Sequence, residues 1–470
     1  MNRREFVKRG AAGAFFIAAA GKALGVNSPS GRVRLGIVGC SRTKFDPVSG
    51  RNIMNPKGTR GRGYQVMMDA LKNPGIEIGA VCDVDSDATA YAASEVKRVA
   101  GNDPKQYRDI REMLANPDID GVVVATPDHW HVLAGCWTMQ AKKALYLEKP
   151  IGVTPGEAEI LAECHKKNNV IFQLGTQRRS SLGGQNAVAA IRSGKYGKPL
   201  WAKSWCLSGR PRFDAPKPCS VPDSLDWNLW QGPAPRINRF RPELVHYNWR
   251  FFRGYGTGDL PNNGLHFVDV ARWLLCAEWP TEIYAGGGKL FHDGECFEYE
   301  DTHMLNVKFP DGKFLTWEGC SHTAAMPQFG DSCGCVVYCE GAVVQHDRFG
   351  GIKIYDEKGK KLLQEWTVSG IDPAARSLGV NATSGGGSTT IAHAGKFAEC
   401  IRNGDHRTAT TLDDAVKSNL LTAAGNVSLL ASEAERSTRR RVVSPTPTAR
   451  RRSSGTAPTS LAGRRRLEMP

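Results

Sequence analysis

The sequence predicts an α/β protein of two domains: an N-terminal domain on a parallel sheet, then an α+β domain with a mostly antiparallel sheet. Three observations predict it. From Val33 to Leu174, apolar runs of strand length alternate with helical periods, the pattern of βαβ units. Runs such as Gly121–Ala125 are apolar without alternation, as expected of strands covered on both faces. From Thr281 to Val344 the strand-like runs are separated by turn signals, Pro310–Gly312 and Glu340–Gly341, which suit antiparallel neighbours. A chain of 470 residues has room for both domains.

Taken in order, Val33–Val38 is a short apolar strand, Tyr64–Leu71 a helix and Ile76–Cys82 a second strand. Ala88–Val99 is helical, Gly121–Ala125 a buried strand, Trp130–Gln140 a helix and Ala144–Leu147 a strand. Pro155–Lys167 is a helix with Pro in its first turn, where a missing N–H costs nothing. Val170–Leu174 is again a strand. Residues 178–260 are rich in Trp, Arg, Pro and Gly with little periodicity, and Leu265–Leu275 is a helix. Ser384–Ser388 is a Gly/Ser loop, followed by helices at Ile391–Ile401 and Leu412–Leu430. The expected organisation is a signal segment over 1–25, a first domain over 32–150, a second over 151–430, and a tail over 436–470. Arg triplets among Ser, Thr and Pro give that tail nothing to bury, so it reads as disordered.

The net charge of +15 suggests nucleic acid until it is located. Residues 1–25 carry +4 and the tail from Arg436 carries +9, leaving +2 for the body between them. A nucleic-acid footprint on the folded body is therefore unsupported. Arg3-Arg4 followed by Phe6 and Lys8, the apolar run Ala11–Ala20 and small residues near Ala23 read as a twin-arginine export signal. That run is too short to cross a bilayer. The expectation is an exported, periplasmic protein that meets the twin-arginine machinery and has no membrane span. Thirteen Cys are scattered rather than framed, so they read as small core residues. Cys333, Cys335 and Cys339 share one face of a strand, yet no second cluster of ligands accompanies them, and no metal is assigned.

The chemistry sits at strand ends. A diphosphate needs glycine at the first βα turn, so that backbone N–H groups at a helix N-terminus approach it. Gly36 and Gly39 end the first strand, but Gly61 and Gly63 follow only after a long insertion, so the motif is split. Asp83 ends the second strand twenty positions after Gly63. A carboxylate there accepts from both adenosine-ribose hydroxyls and repels a 2′-phosphate, which favours NAD over NADP. Thr126, Pro127 and His131 lie at the carboxyl end of a third strand, and Glu148 and Lys149 at the end of a fourth. All are candidate cofactor ligands, and a lysine there can stabilise charge that develops beside a nicotinamide.

Glu148-Lys149-Pro150, spaced as it is after Thr126-Pro127 and Asp83, resembles the glucose–fructose oxidoreductase, inositol dehydrogenase and rhizopine-catabolism family, Gfo/Idh/MocA. Leu174–Arg178 (LGTQR) is similar to that family's entry to its second domain. Leu225–Ala234 (LDWNLWQGPA), Asn248–Arg250 with Tyr255–Gly258, and Asn262–Asp269 (NNGLHFVD) resemble a secreted branch of it. The resemblance implies a Rossmann domain followed by an α+β domain with a large open sheet, often an oligomer interface. It implies hydride transfer at a carbon of a sugar, sugar acid or cyclitol, with a nicotinamide cofactor held between the domains. Lys149 matches the family's catalytic lysine and His266 its active-site histidine. Asn262 stands where the family carries Asp, so proton transfer is expected to fall to His266 with help from Lys149. Gln177, Arg178, Trp249 and Asn262 are the substrate-side candidates: Trp faces stack on sugar C–H surfaces, and Gln and Arg donate to hydroxyls and carboxylates.

An exported nicotinamide enzyme would load its cofactor before export and hold it tightly. Two rivals stand beside net oxidation. One is a redox-neutral enzyme that cleaves or epimerises a glycoside through a keto-sugar, and the other is a sugar-binding protein without catalysis.

Overall fold

Val33–Val38 (β1) has all but one of its residues fully buried, and a parallel sheet is wound around it. The computed structural model describes residues 31–40, 61–324, 328–366 and 386–443. The other strands of this sheet are Ile76–Cys82 (β2), Lys105–Tyr107 (β3), Gly121–Val124 (β4), Ala144–Leu147 (β5) and Phe172–Leu174 (β6). Their order is β3-β2-β1-β4-β5-β6, every pair parallel. The order reverses between β1 and β4, and ligands of such sheets bind at that switch point. The sheet therefore does not stop at Pro150. The helix Pro155–Asn168, closed by a Thr154–Glu157 capping box, returns the chain so that β6 pairs along β5.

Helices lie on both faces. Ser86–Ala100 starts on Asp85, whose carboxylate accepts from the Asp87 N–H, and stops at Gly101 in the left-handed conformation. Near the other end of the chain, Gly386–Asn403 begins inside the expected Gly/Ser loop and joins the first domain. Its Ala394, Phe397, Ala398 and Ile401 are buried with Val33, Leu35, Ile78 and Val123 in one core.

The second sheet holds Pro199–Leu207 (β7), Glu282–Gly288 (β8), Thr302–Lys308 (β9), Phe314–Cys320 (β10), Cys333–Cys339 (β11), Ala342–His346 (β12), Ile352–Asp356 (β13) and Leu362–Trp366 (β14). Their order is β14-β13-β12-β11-β7-β10-β9-β8, antiparallel except for β7 with β10. Alternation decides which face is covered. In β9, His303, Leu305 and Val307 are buried while Met304 and Asn306 are exposed. The helix Leu265–Leu274 packs Phe267, Val270 and Leu274 on the buried face, together with Cys333, Cys335 and Cys339. The opposite face carries Trp201 stacked on Phe314 and on Tyr338, with ring centroids 5.4 and 4.5 Å apart.

Between β7 and β8, a stretch without sequence periodicity folds around an aromatic core of Trp227, Trp230, Phe251 and Phe252, which Phe297 of the β8–β9 connection completes. The chain divides into compact units at Leu429, and both sheets belong to the first. Of the second unit the structure describes the end of the helix Leu412–Val443. The helix therefore includes the first residues, 436–443, of the segment expected to be disordered. Arg436 and Arg439–Arg441 favour helix, and no Pro intervenes before Pro445. Among the described residues, no helix is long and apolar enough to cross a membrane. The export segment and the insertion over residues 41–60 lie outside the described residues, as does the tail beyond Val443.

Candidate active site

The turn after β1 is closed by backbone contact. Gly39 has φ +85°, and a Cβ on it would sit 2.6 Å from the Ala125 carbonyl oxygen. A Cβ on Gly63 would sit 1.9 Å from the Gly39 oxygen, so the helix Arg62–Ala70 meets the turn at glycine-only distance. Gly61 occupies that helix's N-cap with no side-chain cap, leaving its N–H groups open to the cleft. Gly36 and Gly63 do not line the cleft. Gly36 faces Met113 of the helix Ile110–Leu114, where a Cβ would lie 3.0 Å from the sulfur, because alternate residues of a strand point to opposite faces.

Asp83 lines the cleft at the end of β2, where its Oδ1 accepts from the Asp85 N–H at 3.0 Å. Thr126 and Pro127 line it at the end of β4. The Thr126 hydroxyl is buried without a partner among the described residues. His131 ties two strand ends together, its ring nitrogens 2.5 Å from the Pro150 carbonyl oxygen and 3.0 Å from that of Thr126. A glycine cradle, an acceptor at the end of β2 and an orphaned hydroxyl between them fit a dinucleotide laid across the switch point.

Glu148 is 3% exposed, and its Oε1 accepts from Arg62 Nε and Gln177 Nε2, each at 2.9 Å. It fits only because residue 175 is glycine: a Cβ there would lie 2.7 Å from the carboxylate. Gln177 therefore anchors Glu148 and does not reach the cleft. Nor does Arg178, whose guanidinium lies over the Phe267 ring at 4.3 Å and donates to the Arg348 carbonyl oxygen at 2.8 Å. Both are buried on the tight turn Gln177–Ser180. These two substrate-side expectations are corrected to supporting roles.

Lys149 enters the cleft between the domains. Its Nζ donates to the Asn262 side-chain oxygen at 2.6 Å and to the Asn262 backbone oxygen at 2.7 Å. Asn262 can offer both because it lies in the wide π-turn Leu260–Gly264 ahead of the helix Leu265–Leu274. Burial pushes the Lys149 ammonium down to about 8, with Glu148 opposing and Arg250 assisting. His266, in the first turn of that helix, also lines the cleft, and its Nδ1 is buried without a partner among the described residues. Burial and then Lys149, Arg178 and Arg62 hold the ring well below the ordinary histidine range, so it is neutral. Trp249 lines the far wall, beside Arg250, whose guanidinium stacks on Tyr247 at 3.8 Å.

Three cleft residues carry no signal strong enough to be found in the sequence: Arg62, Asp128 and Arg250. Arg62 is hidden in a Gly-rich run, and Arg250 in an aromatic stretch without periodicity. Asp128 is a lone carboxyl between Pro127 and His131, and its Oδ2 accepts from the Thr257 hydroxyl at 2.8 Å.

Part of the aromatic segment lines the cleft. The Asp226 N–H donates to the Val84 oxygen at 2.9 Å, and the Ser86 N–H to the Ser224 oxygen at 3.0 Å. The Trp230 carbonyl oxygen lies 3.0 Å from both the His129 and the Trp130 ring nitrogens. His246 Nε2 lies 3.7 Å from Asp85 Oδ2. The segment is thus fastened to the turns after β2 and β4.

Residues 33–176 match an oxidoreductase family's NAD-binding Rossmann fold, and residues 200–313 match the C-terminal alpha/beta domain of an oxidoreductase family. The chain is 30% identical to the rhizopine catabolism protein MocA of Rhizobium meliloti over 281 residues, which cover 60% of this chain and 69% of that protein. It is 24% identical to a 2,7-anhydro-N-acetylneuraminate hydratase of Mediterraneibacter gnavus over 46% of this chain, and spans about half of that protein's length, 49%. Among solved structures, levoglucosan dehydrogenase in complex with NADH and levoglucosan superposes with a TM-score of 0.60. The match covers 86% of this chain and 98% of that one, and at 16% identity it bears on the fold alone.

Proposed function

Because the chain belongs to the Gfo/Idh/MocA oxidoreductase family, we propose that it is an NAD-dependent enzyme that transfers hydride at a carbinol carbon of a sugar, sugar acid or cyclitol. The observation that carries the proposal is Lys149. Its ammonium is held by two oxygens of Asn262, one domain gripping the other's lysine, in the cleft that Asp83 and Gly39 also line.

Bound NAD supplies the hydride acceptor. Asp83 takes the adenosine-ribose hydroxyls, and Thr126 with the open N–H groups near Gly61 faces the rest of the dinucleotide. Lys149 donates to the substrate oxygen and favours negative charge there. His266 orients the same hydroxyl, and the Trp249 face stacks on the sugar ring. The hydrogen bonds of the 224–230 segment to Val84, Ser86, His129 and Trp130 support a cofactor that stays bound through many turnovers. A resident cofactor suits an exported enzyme, and we infer that residues 1–25 direct twin-arginine export. For the expected homo-oligomer, the sheet face that carries Trp201 and Phe314 is the suited contact.

The test is to purify the folded enzyme, identify retained nucleotide by mass spectrometry, and screen sugars, sugar acids and cyclitols for absorbance of reduced nicotinamide. Lys149→Ala is expected to lose at least 100-fold in kcat/KM. Full activity in that variant would support a binding protein on an inactive scaffold.

A redox-neutral reaction is the second reading. Asn262 in place of Asp favours it, as does the relationship to a hydratase. Product formed anaerobically with no accumulation of NADH would select it over net oxidation.

A further inference from the structure

Placing a proton in this cleft raises a problem that position 262 cannot solve. Asn262 is an amide, and both of its oxygens are engaged by Lys149. Lys149, with its pKa near 8, is mostly an ammonium at neutral pH, so it donates and does not accept. His266 is neutral, but a proton added there would join the positive charges of Lys149, Arg178 and Arg62 around it. One carboxyl in the cleft has none of these difficulties.

Asp128 lies at the carboxyl end of β4, one residue past Pro127, and lines the cleft with Lys149, Asn262 and His266. It is 3% exposed. Its Oδ2 is held by the Thr257 hydroxyl, while Oδ1 is not among the buried atoms that lack a partner. Thr257 is itself fixed, since Asn426 Nδ2 donates to its backbone oxygen at 2.7 Å. One carboxylate oxygen is anchored and the other is left to the cleft. The titratable groups whose charge bears on Asp128 are His131, Lys149 and Arg250, and its own charge bears on Tyr299. Among the described residues, none of them is in an ion pair with it.

We propose that Asp128 is the proton-handling carboxyl of this site and acts together with Lys149 on the substrate hydroxyl. In the oxidising direction the hydroxyl O–H bond breaks and its proton passes to Asp128 Oδ1, while the carbinol C–H hydrogen leaves with its electron pair for NAD. The carbon–oxygen double bond forms under the Lys149 ammonium. In the reducing direction Asp128 returns the proton to the oxygen. Burial raises the Asp128 pKa from its ordinary value, which makes it a better acceptor than an exposed Asp.

The inference rests on the dehydrogenase reading above, so its test includes a readout that needs no turnover. In the full chain loaded with NAD, the rate at which an amine-directed methylating reagent modifies Lys149 is followed from pH 6 to 10 by peptide mass spectrometry. Removing a facing carboxylate lowers the apparent pKa of Lys149, so Asp128→Asn is expected to speed labelling at pH 7 by about threefold. With a turned-over sugar, the same variant is expected to lose about 100-fold in kcat/KM and to lack the acid limb of the wild-type pH profile. Thr257→Val, which keeps the carboxyl, is expected to move that limb to higher pH, because the lost hydrogen bond had favoured the carboxylate. It serves as the second variant should Asp128→Asn fail to fold. Unchanged Lys149 labelling, or an unchanged acid limb, overturns the assignment. So does a tenfold loss of NAD affinity with the limb intact, which would make Asp128 a cofactor ligand only. If no sugar turns over while the labelling shift is present, the dehydrogenase reading fails and the pairing of Asp128 with Lys149 stands.

Discussion

Lys149 and Asn262 show how one side chain sets the protonation of another. The amide oxygen 2.6 Å from Nζ is a dipole with no charge, so burial is only partly opposed and the lysine titrates near 8. Asn262→Asp would place a carboxylate at the same contact and favour the ammonium. The basic limb of Lys149 labelling is expected to move up by about one pH unit or more, and an unmoved limb would show that the contact does not govern this lysine. Gly39 is the second residue whose role follows from geometry alone. Gly39→Ala forces a Cβ against the Ala125 carbonyl at positive φ and is expected to cost at least about 1–2 kcal/mol. Calorimetric titration of the variant should also show weakened NAD binding. Lys149, Asp83 and Gly39 were legible in the sequence because each sits at a strand end marked by local pattern. Arg62, Asp128 and Arg250 were not, because they become neighbours only when β1, β4 and the aromatic segment are assembled.

At the scale of elements, two features hold the site in register. The helix Leu265–Leu274 carries His266 and is fixed by a buried ionic network three residues further on. Arg179 donates to Asp269 at 2.8 Å, Ser418 donates to the same carboxylate at 2.6 Å, and Arg272 reaches both Ser418 and Asp414. Breaking such a network by removing one partner leaves an uncompensated buried charge. Asp269→Ala is expected to cost about 3–5 kcal/mol, measured by urea denaturation, and a loss below 1 kcal/mol would contradict the network's role. The other feature is the helix Gly386–Asn403. Its Phe397 is fully buried against the first sheet, and Phe397→Ala is expected to cost about 3–5 kcal/mol. Most elements of the first domain were legible from periodicity, as the agreement over Val33–Val38, Ile76–Cys82 and Ala144–Leu147 shows. That this late helix belongs to the first domain was not legible, because amphipathicity says which face is buried and not what buries it.

For the molecule as a whole, buried neutral histidines link stability to pH. Burial holds His129 and His393 down to about 4 in the folded state, whereas the unfolded chain titrates near 6.5. The unfolded state therefore binds more protons below about 6.5, and stability falls as pH drops from there toward 4. Each histidine is expected to remove about 2 kcal/mol between pH 7 and pH 5. Urea midpoints at the two pH values, with His393→Gln as the comparison, measure the effect. A midpoint that does not fall on acidification would mean these rings are not held neutral. By itself the sequence determined the parallel sheet, the split glycine turn, the strand-end positions of Asp83 and Lys149, and the charge confined to the two ends of the chain. All of these are carried by patterns of a few residues, within reach of local physics. Only the tertiary structure decided that Gln177 and Arg178 are buried against Glu148 and Phe267, that the aromatic segment is fastened to the turns after β2 and β4, and that Asp128 lines the same cleft as Lys149. Those outcomes depend on contacts between residues tens to hundreds of positions apart, and no local pattern records which distant surface will cover a given side chain.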